Sequence, residues 1–272
     1  MQLATYRSGK VGILYDADSL CDARPKPQTP ASQTAEPSAQ TTPPTLPVGP
    51  ELLAPDFWQD QGLVTGEAPG RGQSLFIAVG HREWVLRPYR RGGLIARLSS
   101  SRYIWTGLEG TRAFRELRLT AELFDAGLPV PRPILAGVIR HGLTYEAALI
   151  TERLPTAVAL AERLSAGTAS DALLETVGRV IRRFHDHGLD HVDLNARNLL
   201  IDHHDGVWLI DFDRCRLRDG GRLDERGRPH RQNAWRQANL DRLGRSFAKF
   251  CASSEAANGA MQAVRHGYAV TD

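Results

Sequence analysis

Apolar residues along this chain recur at two different spacings, and the change from one to the other predicts its elements. Leu63-Val-Thr65, Ser74-Leu-Phe-Ile-Ala-Val79 and Trp84-Val-Leu-Arg87 are short apolar or alternating runs separated by glycine-bearing turns, so they predict three strands. Upstream, Lys10 to Asp16 predicts a further short strand or hairpin. From Thr111 to Ala126 the spacing becomes helical, with Phe114, Leu117, Leu123 and Phe124 recurring three and four apart. Gly127 is placed to cap that helix, and Pro129 and Pro131 keep the chain from re-entering it. Ile134 to Ile139 and Glu146 to Ile150 then predict two strands around Arg140-His-Gly142. A second helix is predicted over Asp171 to His187, where Leu173, Leu174, Val177, Val180, Ile181 and Phe184 form one stripe. After a polar loop, Leu199 to Ile201 and Val207 to Ile210 flank His203-His-Asp-Gly206 and predict a hairpin. The remaining stretch is rich in arginine, with an amphipathic helix expected around Leu240 to Phe250 to close the chain. No internal repeat is visible.

Between Arg24 and Pro50 the composition shifts to Pro, Thr, Ser, Gln and Ala, and half of the 16 prolines lie between Pro25 and Pro50. Such a stretch buries too little apolar surface to offset its ordering entropy, so an extended, mobile insert is expected there. Elsewhere the 42% hydrophobic and 24% charged content is that of an ordinary globular protein. No apolar run is long enough for a membrane span, and the first residues do not resemble a secretion signal. Cys21, Cys215 and Cys251 are too far apart for a metal knuckle or a dense disulfide framework, and a reducing compartment is the default expectation. The net charge of +3 gives no ground for a nucleic-acid partner. Only Lys10, Lys26 and Lys249 are lysines; the other 31 basic residues are arginine. Any chemistry that needs a central cation must therefore use the arginine fork.

The segment richest in chemistry is His191-Val-Asp-Leu-Asn-Ala-Arg-Asn198, followed thirteen residues after Asn198 by Asp211-Phe-Asp213. Moving a phosphoryl group from ATP to an alcohol needs a carboxylate to accept the hydroxyl proton, and Mg2+ to neutralise the phosphate oxygens. Mg2+ prefers hard oxygen ligands. Asp193 fits the base, and Asn198 and Asp211, with Asp213 beside them, fit the metal ligands. The apolar hairpin between them can bring Asp211 back to the Asn198 loop. This array resembles the catalytic core of the protein-kinase-like superfamily. That resemblance implies a basic residue on the third strand paired with a glutamate on the first long helix. With no lysine available, Arg87 and Glu116 are the candidates to clamp ATP phosphates. Gly70 and Gly72 flank Arg71 but do not complete a G-x-G-x-x-G. By residue type a plain turn and a phosphate lid fit equally, and their position between the first two strands favours the lid. Thr151-Glu152-Arg153-Leu154 is the expected hinge, with Glu152 and Leu154 reaching adenine through the backbone. His191 is expected to buttress its loop by hydrogen bonding, with no zinc site beside His185 and His187, and Cys215 is expected to be packing.

Over about residues 54–250, the Pro-rich insert apart, the chain resembles the 3-deoxy-D-manno-octulosonic acid (Kdo) kinases of Gram-negative bacteria, relatives of the lipopolysaccharide core heptose kinases. The likeness is carried by Phe57-Trp58, Val85-Leu-Arg-Pro-Tyr-Arg-Arg-Gly-Gly93, Arg102-Tyr-Ile-Trp-Thr-Gly-Leu-Glu109, Thr111 to Glu116, Gly127 to Pro133, His191 to Asn198 and Asp211-Phe-Asp-Arg214. It implies an α+β, bilobal protein-kinase-like fold with a mainly antiparallel N-lobe sheet, one N-lobe helix and a reduced helical C-lobe. The expected division is an N-terminal hairpin segment at 1–21, the Pro-rich insert at 22–53, the N-lobe at 54–153 and the C-lobe at 154–272. The implied activity is ATP- and Mg2+-dependent phosphorylation of the 4-hydroxyl of a Kdo residue on a lipid A precursor, at the cytoplasmic face of the inner membrane. Arginine-rich stretches from Arg82 to Arg102 and Arg214 to Arg236 would meet the anionic surface, and no protein partner is expected. Heptose or protein phosphorylation, or an inactive kinase-like binding module, are the alternatives. The chain has no A-P-E after Asp211, which weighs against a protein acceptor.

Overall fold

A computed structural model describes residues 1–21, 47–68, 74–89, 103–218 and 233–270. The Pro-rich insert up to residue 46, Gly70, Gly72 and most of the two arginine-rich stretches lie outside these described residues. The chain divides into two compact units, Met1–Leu117 with Arg132–Arg153, and Arg118–Pro131 with Leu154–Asp272.

The first unit is built on an eight-stranded antiparallel sheet. Its strands are β1 (Leu3–Ser8), β2 (Val11–Asp16), β3 (Val64–Ala68), β4 (Ser74–Val79), β5 (Arg82–Pro88), β6 (Tyr103–Ile104), β7 (Pro133–His141) and β8 (Thr144–Glu152). They run in the order β1-β2-β7-β8-β5-β4-β3, with β6 on β8. Strands β4 and β5 alternate buried and half-buried positions, so Leu75, Ile77, Trp84 and Leu86 enter one apolar layer. The N-terminal hairpin forms the edge of this sheet, with Val11 to Tyr15 in register with Ile139 to Leu135. Asp16, fully buried, accepts both Nε and Nη2 of Arg132 at 2.8 and 2.7 Å and the Ser19 hydroxyl at 2.6 Å. That charge-assisted set ties helix α1 (Ala17–Cys21) to the start of β7.

The expected insert at 22–53 includes a defined element at its end. A 3-10 turn over Pro50–Leu53 buries Leu52 and Leu53 and precedes α2 (Pro55–Asp60). The Leu52 carbonyl accepts the indole N–H of Trp58 at 3.0 Å, and the Trp58 side chain is completely buried. Two leucines and an indole stabilise this turn by about 1.5–3 kcal/mol each on burial, although its sequence continues the low-complexity stretch. Helix α3 (Arg112–Asp125) packs Ala113, Phe114 and Leu117 into a second apolar cluster of the same unit.

The second unit contains β9 (Val158–Ala159), α4 (Leu160–Ser165), α5 (Asp171–Asp186), β10 (Leu189–Asp190), β11 (Leu199–Ile201), β12 (Val207–Leu209), β13 (Arg216–Leu217), α6 (Asn233–Phe247) and α7 (Ser254–Ala269). Ser170 caps α5, its hydroxyl accepting Leu173 N–H, and the apolar stripe of α5 enters the core with Leu160, Leu199, Leu243 and Phe247. The expectation that a helix near Leu240–Phe250 closes the chain is incorrect. That helix spans Asn233–Phe247, and α7 follows it. Helix α7 is marked mainly by alanine and glycine, so its apolar signal is weak. Its contact with α5 relies on small residues: a Cβ at Gly178 would meet Val264 O at 2.1 Å, and one at Gly267 would meet Glu175 O at 2.0 Å. Close backbone approach at these glycines is joined by side-chain packing, with Val264 fully buried and the Tyr268 hydroxyl 2.8 Å from His185 Nδ1.

Candidate active site

The loop from β10 to β11 is suspended from buried polar anchors. Gly188, at φ 91°, turns the chain out of α5, and its carbonyl accepts Arg218 N–H at 2.8 Å. Asp190 follows, buried to 4% exposure. Its Oδ2 takes Nε and Nη2 of Arg218 at 2.9 and 2.7 Å, and its Oδ1 takes Asn239 Nδ2 at 3.1 Å. Burial alone would raise the Asp190 pKa, but the Arg218 and Asn239 hydrogen bonds and the nearby arginine charges bring it below the ordinary carboxylate value. Asn239 Oδ1 in turn accepts His191 N–H at 3.0 Å.

His191 is buried and its Nε2 lies 3.1 Å from the Ile210 carbonyl. A carbonyl can only accept, so Nε2 carries the proton; Nδ1 is buried without a partner. Burial lowers the His191 pKa, opposed by the Ile210 bond and by the charges of Asp211 and Asp193. A neutral ring thus links the Asp193 loop to the strand end that carries Asp211. Phe212 completes this support, its ring edge-on to His191 with centroids 5.6 Å apart.

Leu194 and Ala196 anchor the next turn in the core, while Asp193 and Arg197 are exposed. Ala196 donates its N–H to Ser246 Oγ at 3.0 Å, and its carbonyl accepts Ala161 N–H at 3.0 Å. The Asp193 carbonyl accepts Asn195 Nδ2 at 2.9 Å and Asn198 Nδ2 at 3.0 Å. The Asp193 carboxylate has no hydrogen bond or ion pair among the described residues, which leaves both oxygens available to a substrate hydroxyl. Asn198 O accepts Ile210 N–H at 3.0 Å, joining the loop directly to the residue before Asp211. Asp211 has φ 66° and Arg214 φ 64°. Left-handed backbone costs an ordinary side chain about 1 kcal/mol, and here it is held by the Phe212 packing and the Cys215 N–H to Phe212 O bond of 3.0 Å. Asp213 is half-buried beside them. Cys215 is buried, and its Sγ makes long contacts to the carbonyls of Asp211 and Asp213.

Among the described residues no group of three or more His, Cys, Asp or Glu is arranged to hold a metal ion. The oxygen donors present are nevertheless those of a shared Mg2+ site, which takes one or two carboxylates and completes its shell with phosphate and water. Asn198 fits this particularly well: its Nδ2 is committed to Asp193 O, and its Oδ1 accepts no hydrogen bond among the described residues. Asp211 and Asp213 would supply the charge to such an ion.

In the first unit the structure brings Arg87 and Glu116 together. Glu116, 3% exposed, accepts Arg87 Nη2 on one oxygen and the Tyr89 hydroxyl on the other. The Arg87 guanidinium lies 5.1 Å from the Tyr89 ring centroid. No role was read for Tyr89 in the sequence; just past the end of β5, its N–H to Ala147 O bond of 2.9 Å continues the ladder and keeps it on the face of Arg87. Glu152 and Arg153 spend their N–H groups on Arg132 O and Glu83 O, both at 2.8 Å. The Leu154 N–H has no partner among the described residues, whereas its carbonyl accepts Ala157 N–H at 3.3 Å. Asp190, Asn239 and Ser246 were also missed; polar residues seven apart within the apolar stripe of Leu240, Leu243 and Phe247 were the available signal.

The model of the "Lipopolysaccharide kinase (Kdo/WaaP) family" matches residues 55–268. A 3-deoxy-D-manno-octulosonic acid kinase of Vibrio cholerae serotype O1 is 44% identical over 195 residues, covering 72% of this chain and 78% of that protein. The protein of the same description from Xylella fastidiosa strain M23 is 43% identical over 198 residues, covering 73% of this chain and 74% of the other. A solved structure described as WaaP in complex with acyl carrier protein aligns with 76% of this chain and 81% of that one, at a TM-score of 0.46 and 18% identity. With a matching family model over most of its length and relatives above 40% identity, this chain belongs to the lipopolysaccharide kinase (Kdo/WaaP) family.

Proposed function

We propose that this protein transfers the γ-phosphoryl group of ATP to the 4-hydroxyl of a Kdo residue on a lipid A precursor. The observation that carries the reading is the Asp193 carboxylate, unpartnered among the described residues, on a loop whose Asn198 and Asp211 are held to it by the Ile210 and His191 bonds. Asp193 accepts the hydroxyl proton, the sugar oxygen forms a bond to the γ-phosphorus, and the bond from that phosphorus to the ADP oxygen breaks. Asn198, Asp211 and Asp213 would hold Mg2+, which when bound neutralises charge on the phosphate oxygens. Within the first unit, Arg87, oriented by Glu116 and Tyr89, is a cation suited to phosphate oxygens; within the second, the Leu154 N–H is a donor suited to a nucleobase.

Membrane association is supported by an apolar tip on the first unit. Ile104 and Leu143 are 71% and 83% exposed, Trp105 N–H meets Leu143 O at 2.9 Å, and Arg140 lies 5.1 Å from the Trp105 ring centroid. Apolar side chains beside a cation suit a peripheral position on an anionic leaflet, here the cytoplasmic face of the inner membrane. No helix among the described residues is long and apolar enough to cross a membrane. The test is ADP release and mass spectrometry of the lipid with purified protein, Kdo-lipid A precursor and Mg-ATP. The wild type should add one phosphate to the Kdo residue, and Asp193→Ala should fold normally yet add none. Phosphorylation of a heptose-bearing acceptor alone, or equal turnover by Asp193→Ala, would defeat the assignment.

A further inference from the structure

Beside Asp193 lies a cavity of about 530 Å3 whose charge the transfer chemistry itself does not require. Its lining includes Arg197 from the catalytic loop, Arg242 and Arg245 from α6, Lys249 just beyond that helix, and the ring of Phe250. Asp193 is the one carboxylate in this lining, so the cavity has a net charge of +3. Positions 242, 245 and 249 follow each other by three and four residues and share one face. Like charges at that spacing repel and weaken a helix. Elsewhere the arginines of this unit commonly meet carboxylates, such as Arg218 with Asp190, Arg182 with Asp186 and Arg163 with Asp205. Among the described residues none of Arg197, Arg242, Arg245 and Lys249 is in an ion pair, and Asp241 on the same helix is directed to Gln237 and Arg265. Arg242 Nη1 is buried without any hydrogen-bond partner, a cost a folded protein rarely leaves uncompensated.

We propose that this cavity is the acceptor site and that its cations bind the carboxylate of the sugar acid being phosphorylated. The proposal rests on the Kdo kinase reading and adds how the acceptor is chosen. The carboxylate carbon of Kdo is separated from the 4-oxygen by four covalent bonds, roughly 4–5 Å. A single cavity that contains both Asp193 and the guanidinium groups can therefore hold both ends. Arginine supplies a planar fork matched to a carboxylate, and Phe250, with Arg197 5.2 Å from its centroid, offers an apolar wall for the sugar ring. A phosphate on the lipid's glucosamine has the same charge chemistry, but it is farther from the reacting oxygen, across a glycosidic bond. Neutral sugars would leave these cations desolvated and unpaired, which gives selectivity for an acid over a neutral hexose.

The experiment uses the full-length protein, wild type and Arg242→Gln/Arg245→Gln, with Kdo-lipid A precursor, its Kdo carboxamide and a precursor lacking the glucosamine phosphates. For the acid, the double variant should raise the acceptor KM at least 30-fold with the ATP KM within twofold. The wild type should show a similar penalty with the carboxamide, and the variant should scarcely distinguish acid from amide. Equal use of acid and amide by the wild type, or equal impairment of the variant on both, would overturn the proposal while leaving the kinase reading intact. A variant penalty that disappears with the dephosphorylated lipid would assign the cavity to phosphate instead and overturn it as well. Calorimetric binding of free Kdo, weakened in the variant and absent for its carboxamide, would sustain the site even if no phosphate were transferred, in which case only the kinase reading falls.

Discussion

Asn239→Ala tests whether the catalytic loop is hung on α6 as the hydrogen bonds indicate. Asn239 is 1% exposed and bridges two groups, donating to Asp190 Oδ1 at 3.1 Å and accepting His191 N–H at 3.0 Å. Removing the side chain deletes a bond to a charged acceptor, worth about 1.5–3 kcal/mol, and leaves a buried N–H unsatisfied at about 1–3 kcal/mol. Alanine returns up to about 0.7 kcal/mol as the better helix former, so a net loss near 3 kcal/mol is expected locally. The Arg218 fork on Asp190 Oδ2 remains, which favours local loosening over global unfolding. Hydrogen–deuterium exchange followed by mass spectrometry reads this directly. Amides of residues 189–198 should exchange about 100-fold faster, and kcat should fall because Asp193 is no longer held in place. Gln237→Ala is the control, since Gln237 meets only the surface Asp241 on the same helix, at 2.7 Å. Exchange within threefold of wild type in Asn239→Ala, with Gln237→Ala unchanged, would refute the suspension of the loop from α6.

Arg87→Ala should lower kcat/KM for ATP about 100-fold, with Arg87→Lys recovering only part of it because a point charge replaces a fork; steady-state kinetics at varied ATP would show this. Gly178→Ala should destabilise by about 1–3 kcal/mol by pressing a methyl group against Val264 O. Gly259→Ala, on α7 with open space around the added atom, should be neutral or stabilising by up to about 1 kcal/mol, both read from thermal melting. The pH dependence of stability should carry a histidine signature. Burial first, then the charge of Arg236, lowers the His185 pKa from 6.5 to about 4. The unfolded chain takes up that proton below pH 6.5 while the folded one does not until about pH 4. Stability from this group is therefore complete above 6.5 and lost as pH falls between the two values, about 3 kcal/mol in all. In urea titrations His185→Phe should flatten that slope, and an unchanged slope would contradict it.

The elements were legible wherever a strong period met a clear boundary. Strands β4 and β5, helices α3 and α5 and the β11–β12 hairpin follow from alternating or three-to-four apolar spacing, ended by glycine, serine or proline. Helix α7 was hidden because its sequence is mainly alanine and glycine, and where Gly178 and Gly267 bring it against α5 an absent side chain leaves no hydrophobic signal. The turn at Pro50–Leu53 was hidden for the opposite reason: its two buried leucines lie at the end of a stretch whose composition reads as disordered. Asp193, Asn198 and Asp211 stood out as candidates because phosphoryl transfer restricts which oxygens serve and at what spacing. Their supports did not, since Asp190 with Arg218 and Asn239, or Ala196 with Ser246, are partners 28 to 50 residues apart.

By itself the sequence determined the kind of chemistry, because Asp193, Asn198 and Asp211 are close enough along the chain for spacing alone to relate them. It also determined that no lysine is available between Lys26 and Lys249. Only the tertiary structure decided which cations gather beside Asp193. Arg197 and the 242–245–249 row belong to separate segments, and it is the packing of α6 against the loop, through Ser246 and Asn239, that places them in one cavity. Local periodicity encodes which face of an element is apolar; which elements meet depends on contacts whose members are distant in sequence, and those are settled only when the core closes.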